Sequence, residues 1–215
     1  MILYNDNLII FVFIGILCLI IICLSNNNVR KDDDIEIVKK RIMIYKENIL
    51  PIENYYKDLI VNIKVREDIN INKKIIKDIL QKKGNVKKII IIGPPGSGKT
   101  TIGKIFADNF KIKFISTGEI IRNEIKNNTF IGKAVKDKVE KGELVSSLFI
   151  EKILQEQIKN NPEIMKDGWI LDGVPRKMED IKILEKLNIK PDIVLNIYLP
   201  EKQIFNRINK RIKEN

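Results

Sequence analysis

Val86-Lys87-Lys88-Ile89-Ile90-Ile91-Ile92 runs without a break into Gly93-Pro94-Pro95-Gly96-Ser97-Gly98-Lys99-Thr100-Thr101. The first segment is short, apolar and rich in β-branched side chains, as a strand buried on both faces of a parallel sheet would be. The second fits G-x-x-x-x-G-K-[ST] in its required setting, with a strand before it and a helix after it, Ile102 to Phe110. Gly96 and Gly98 can take backbone angles closed to other residues, so successive N–H groups turn inward around an anion. A helix starting near Lys99 adds the positive end of its dipole. Lys99 is then placed to reach β- and γ-phosphates, and the Thr100 hydroxyl to ligate Mg²⁺. The stretch predicts an α/β fold with a P-loop parallel sheet covered by helices on both faces. It predicts nucleoside triphosphate binding and leaves the phosphate acceptor undefined.

Composition narrows the chemistry. Among 215 residues there is no histidine, which excludes Ser-His-Asp hydrolysis, HExxH zinc sites and any imidazole base. The two cysteines, Cys18 and Cys23, lie together near the N-terminus, so the rest of the chain holds no disulfide framework and no thiolate metal site. The formal charge is +11, but lysine outnumbers arginine 32 to 7. Isoleucine, lysine and asparagine dominate, all with A/T-rich codons, so the charge is partly base usage. Scattered lysines without interleaved aromatics give no nucleic-acid surface.

Leu8 to Leu24 is a 17-residue uncharged apolar run. As a helix it would reach about 25 Å against roughly 30 Å of hydrocarbon. Residues 1–25 are read as a transmembrane anchor or a signal sequence. That reading sets an expectation of membrane attachment and a membrane, secretory-pathway or organellar location. Residues 26–85 carry 14 basic and 10 acidic side chains and one proline, Pro51. Ile75, Ile76, Ile79 and Leu80 fall on one helical face. The stretch reads as a partly helical spacer, its Arg30, Arg41 and Arg66 as ordinary surface cations.

Downstream, four segments in order resemble the adenylate kinase family of nucleoside monophosphate kinases, over about residues 86–213. They are the GPPGSGKTT loop, Phe114-Ile115-Ser116-Thr117-Gly118-Glu119-Ile120-Ile121-Arg122, Gly142-Glu143-Leu144-Val145, and Gly168-Trp169-Ile170-Leu171-Asp172-Gly173-Val174-Pro175-Arg176. The resemblance implies transfer of the γ-phosphate of ATP to AMP with Mg²⁺ as cofactor, by a monomer. It implies that Gly93, Pro95, Gly96, Ser97, Gly98, Lys99, Thr100, Thr101 and Arg207 hold ATP. Thr117, Gly118, Arg122, Val145, Gly173, Arg176 and Asp180 would hold AMP, in an acceptor-binding region at about 117–146. Lys99, Arg122, Arg176, Arg211 and Asp172 would serve catalysis, with Thr100 and Asp172 on the metal and Glu119 reaching it through water.

From Val86 onward there are 21 lysines and four arginines: Arg122, Arg176, Arg207 and Arg211. Each stands where the resemblance expects a substrate arginine, and the guanidinium fork matches phosphate as an ammonium cannot. Two departures set further expectations. Asp180 replaces a base-reading Gln and, as an acceptor only, suits a guanine edge, so guanine nucleotides stand as an alternative to AMP. The family continues past the Arg207 helix with a lid, two more catalytic arginines, a final strand and a closing helix. Residues 86–215 are therefore expected to be a core without lid or last strand, able to bind nucleotides and poorly equipped for turnover. The alternative to an active kinase is a weak nucleotide-binding paralogue tethered at a membrane.

Overall fold

A computed structural model describes residues 34–66, 68–84 and 86–213. Strand β2, Lys88–Ile92, is the hub. It lies between β4, Trp169–Asp172, and β5, Ile193–Tyr198; β3, Lys113–Ser116, flanks β4, and all pairings are parallel. The isoleucine run is explained by its two covered faces. Ile90 and Ile92 enter one apolar cluster with Trp169, Leu171 and Val194. Ile89 and Ile91 enter the other with Ile170, Ile193 and Leu195. Alternate residues of a strand point to opposite faces, so both sets are apolar only where helices cover both sides.

The sheet has a fifth strand that the sequence reading did not place. β1, Ile60–Lys64, comes from the stretch read as a spacer and pairs in parallel with β5, giving the order β1-β5-β2-β4-β3. Its signal is a short alternation: Ile63 and Val65 are buried, whereas Asn62 and Lys64 point away. Helix α1, Ile35–Tyr55, precedes it, started by the Asp34 carboxylate, which accepts from the Glu36 and Ile37 amides. Helix α2, Ile69–Lys83, follows it and is capped by Asp68. Ile76 and Leu80 on α2 are buried and Ile75 and Ile79 pack beside them, the face expected from periodicity.

The remaining helices alternate with the strands. α3, Lys99–Phe110, leaves the loop after β2. α4, Thr117–Lys126, α5, Phe130–Glu140, and α6, Ser147–Asn160, follow β3, with Ser116, Thr129 and Ser146 as their N-caps. A single turn, α7, Ile164–Asp167, leads into β4; α8, Met178–Lys186, and α9, Glu201–Lys213, complete the order. This is the P-loop α/β architecture expected.

The expected location is corrected. Among the described residues no helix is long and apolar enough to cross a membrane. The longest, α1, carries Lys39, Lys40, Arg41 and Lys46 between its apolar positions. The apolar run 8–24, on which the anchor reading rested, lies outside the described residues.

Candidate active site

The site forms at the carboxyl ends of β2, β3 and β4, where loops of a parallel sheet meet helix N-termini. In the loop after β2, Gly93, Gly96 and Gly98 all have positive φ. At Gly93 a Cβ would sit 2.3 Å from the Ile197 carbonyl oxygen, so the loop lies on β5 as only glycine permits. Lys99 opens α3 and folds back, its Nζ donating to the Gly93 and Pro94 carbonyls at 2.8 and 2.7 Å. Burial pushes its pKa down to about 8; Asp172 opposes this, while Arg176 and Arg41 reinforce it.

Thr100 and Asp172 meet as expected. The Thr100 hydroxyl donates to Asp172 Oδ2 at 2.6 Å, and Ser116 Oγ donates to the same oxygen at 3.1 Å. Asp172 is buried at the end of β4, in register with Ile91 beside the loop. A carboxylate with hydroxyls around it is a hard-oxygen donor set, suited to Mg²⁺, which takes few protein ligands and relies on phosphates and waters. No cluster of three or more acidic, cysteine or histidine ligands occurs among the described residues. Glu119 is not brought to this pair: it accepts from Lys104 Nζ at 2.7 Å and does not line the cleft.

Opposite the loop, two arginines converge on the start of α4. A Cβ at Gly118 would lie 3.4 Å from Arg122 Nη1 and 3.4 Å from Arg176 Nη2. Arg176 is fixed by its Nε–H donating to the Gly173 carbonyl at 2.7 Å. At Gly173, φ is +89° and a Cβ would meet the Thr117 hydroxyl at 2.7 Å, so glycine lets β4 end against α4. Burial lowers the pKa of Arg176, with Arg41 the next cause. Val145 is buried behind Arg122.

Asp180 is placed differently from the expectation. Its side chain is buried; Oδ1 accepts from Ser147 Oγ at 2.7 Å and Oδ2 from the Arg176 amide at 2.8 Å. Both oxygens are committed to holding α6 and the Arg176 turn, and the residue does not line the cleft. Thr101 faces solvent on α3. Arg207 lies over the loop, Nη1 donating to the Ser97 carbonyl at 3.3 Å, while Arg211, one turn on, is half-buried and does not line the cleft.

Ser116, Arg41 and Tyr45 are among the cleft residues that were missed. Ser116 looked like a strand end. Arg41 and Tyr45 come from α1 and line the cleft beside Lys99 and Arg176. For Arg41 the available signal was the scarcity of arginine, which also marks the four downstream; Tyr45 carried no signal of its own.

The family described as Adenylate kinase matches residues 91–215. An adenylate kinase of Methanothrix thermoacetophila is 38% identical over 127 residues, covering 57% of this chain and 58% of the relative. That of Francisella philomiragia is 39% identical over 124 residues, 58% of this chain and 56% of the relative. That of Borrelia garinii is 40% identical over 125 residues, 57% of each. The chain thus spans a little over half the length of the curated relatives it matches. With the fold, the phosphate loop and the paired arginines in place, the match over more than half of the sequence makes this chain a member of the adenylate kinase family.

Proposed function

We propose that the chain catalyses ATP + AMP ⇌ 2 ADP as a monomer, with Thr100 and Asp172 as the residues that would hold Mg²⁺. The observation that supports this is one cleft lined both by Lys99 with the glycine loop and by the paired Arg122 and Arg176, two groups of the kind that bind phosphate. Phosphoryl transfer needs alignment and charge neutralisation more than covalent help. The ATP phosphates lie on the loop amides, and Lys99 turns from its own carbonyls to the β- and γ-phosphates. The Arg122 and Arg176 forks hold the AMP phosphate so that one of its oxygens attacks the γ-phosphorus. The bond from that phosphorus to the β–γ bridging oxygen breaks, and ADP leaves from each side. An ionised acceptor phosphate needs no general base, in keeping with a chain that has no histidine. Thr100 and Asp172, the latter fixed by Ser116, would hold Mg²⁺, which when bound would neutralise charge on the transferring phosphates.

A coupled assay of ADP formation on the full chain tests this, with Lys99→Ala as control. ADP must appear only when ATP, AMP and Mg²⁺ are all present, and Lys99→Ala must abolish it. Retained ATP binding with no ADP would leave a nucleotide-binding protein instead.

A further inference from the structure

Residues 34–83 lie ahead of the stretch that matches the family, yet they are built into the same sheet and the same cleft. β1 runs in register along β5 from Ile60 opposite Val194 to Lys64 opposite Tyr198. The join extends at both ends, with the Val194 amide donating to the Leu59 carbonyl and the Val65 amide to the Tyr198 carbonyl, both at 3.0 Å. Behind it, Asn196 Nδ2 donates to Asn62 Oδ1 at 2.8 Å and to Glu53 Oε1 at 2.7 Å. Both apolar clusters draw on this segment: Ile52 and Tyr56 on one face, Val38, Ile42, Ile63 and Ile76 on the other. A tether would show none of this continuity.

Helix α1 also forms a wall of the cleft. Arg41, Ile44, Tyr45, Ile49 and Ile52 recur at helical spacing and all line it. The first turns of α1 are seated on the loop between α5 and α6. Lys40 Nζ meets Glu143 Oε1 at 3.0 Å. A Cβ at Gly142, where φ is +69°, would lie 2.9 Å from Ile37 Cγ2 and 3.2 Å from Arg41 Cγ. Arg41 thereby lines the same cleft as Lys99, Arg122 and Arg176. Its charge acts on both Lys99 and Arg176, lowering the pKa of each. Cations crowded at one cleft repel one another in the empty protein, a cost that a polyanion entering the cleft reverses.

We infer that α1, β1 and α2, encoded before the phosphate loop, are part of the catalytic unit: they supply the sheet edge and the cleft wall, and Arg41 is a further cation for the nucleotide phosphates. The inference rests on the proposed phosphotransfer for its kinetic readout only; its binding readout is independent.

Arg41→Met tests it, because the stem that packs on Gly142 is kept and the charge is lost. ATP and AMP affinities are measured by calorimetry, and kcat/KM by ADP formation, beside Met43→Ala on the exposed side of α1. With an unchanged circular dichroism spectrum, Arg41→Met loses at least about tenfold in affinity for one nucleotide and about 10² to 10³ in kcat/KM. Arg41→Lys recovers only part, since a point charge replaces a fork, and Met43→Ala matches wild type. Wild-type affinity and kcat/KM in Arg41→Met, with Lys99→Ala defective, overturn the inference. If wild type makes no ADP, the proposed function fails and the affinity comparison still decides. A second measurement cuts the folded chain at a protease site inserted after Gly84, an exposed residue between α2 and β2. The two pieces stay together and bind ATP; a downstream piece that separates with full affinity refutes the assembly.

Discussion

The depressed pKa of Lys99 sets an alkaline limit on nucleotide affinity. In the empty protein its ammonium is buried among the loop carbonyls with Arg176 and Arg41 nearby, and its pKa falls from 10.5 to about 8. Bound phosphates favour the charged form, so the ligand-bound pKa is higher and binding takes up a proton wherever free Lys99 is neutral. The sign follows: affinity is close to full at pH 7 and below and is lost as pH rises through 8. The charged fraction drops from about nine-tenths at pH 7 to about one-tenth at pH 9, a loss of roughly tenfold in affinity and in kcat/KM, with a limiting slope of −1. The assay is ATP binding and ADP formation from pH 6.5 to 9.5 at constant ionic strength. Lys99→Arg, which stays charged throughout, removes the alkaline limb whatever its absolute rate. A wild-type profile flat to pH 9.5, or a limb that persists in Lys99→Arg, refutes the reasoning.

Three other substitutions probe the scaffold. Gly142→Ala forces a side chain at positive φ into Ile37 and costs about 1 to 3 kcal/mol; it should lower Tm, read from the fluorescence of the lone, buried Trp169. Asp180→Ala strips the acceptor from Ser147 and the Arg176 amide, costs about 1 to 3 kcal/mol, and should raise KM for AMP more than it lowers kcat. Base preference should stay the same, and a switch between AMP and GMP would return base reading to Asp180. Asp172→Asn weakens activation by Mg²⁺ about 10 to 100-fold, measured by titrating the metal at saturating nucleotides, with ATP affinity in the absence of metal nearly unchanged.

The parts of the site that were legible in the sequence are those whose geometry is local. The Ile89–Ile92 run, the glycine loop and α3 follow one another directly, so period and spacing were enough. Asp172 was legible because a strand carries it to the same sheet end as the loop. Asp180 was misplaced because the partners of a buried carboxylate, here Ser147 and the Arg176 amide, come from tertiary packing. The upstream half of the site was the larger omission. Val61 to Val65 did alternate as a strand should, but the isoleucine, lysine and asparagine bias around it resembled the spacer expected there. Arg41 was treated as a surface cation because nothing in linear order shows a helix some fifty residues earlier closing over the phosphate loop.

The most direct measurement of the central claim is the stoichiometry of the full chain at equilibrium, followed by phosphorus NMR with ATP, AMP and Mg²⁺. Two ADP formed for each ATP and AMP consumed, reached equally from ADP alone and lost in Lys99→Ala, is the predicted result. ATP loss that yields inorganic phosphate, or nucleotides unchanged beside demonstrable ATP binding, would contradict it.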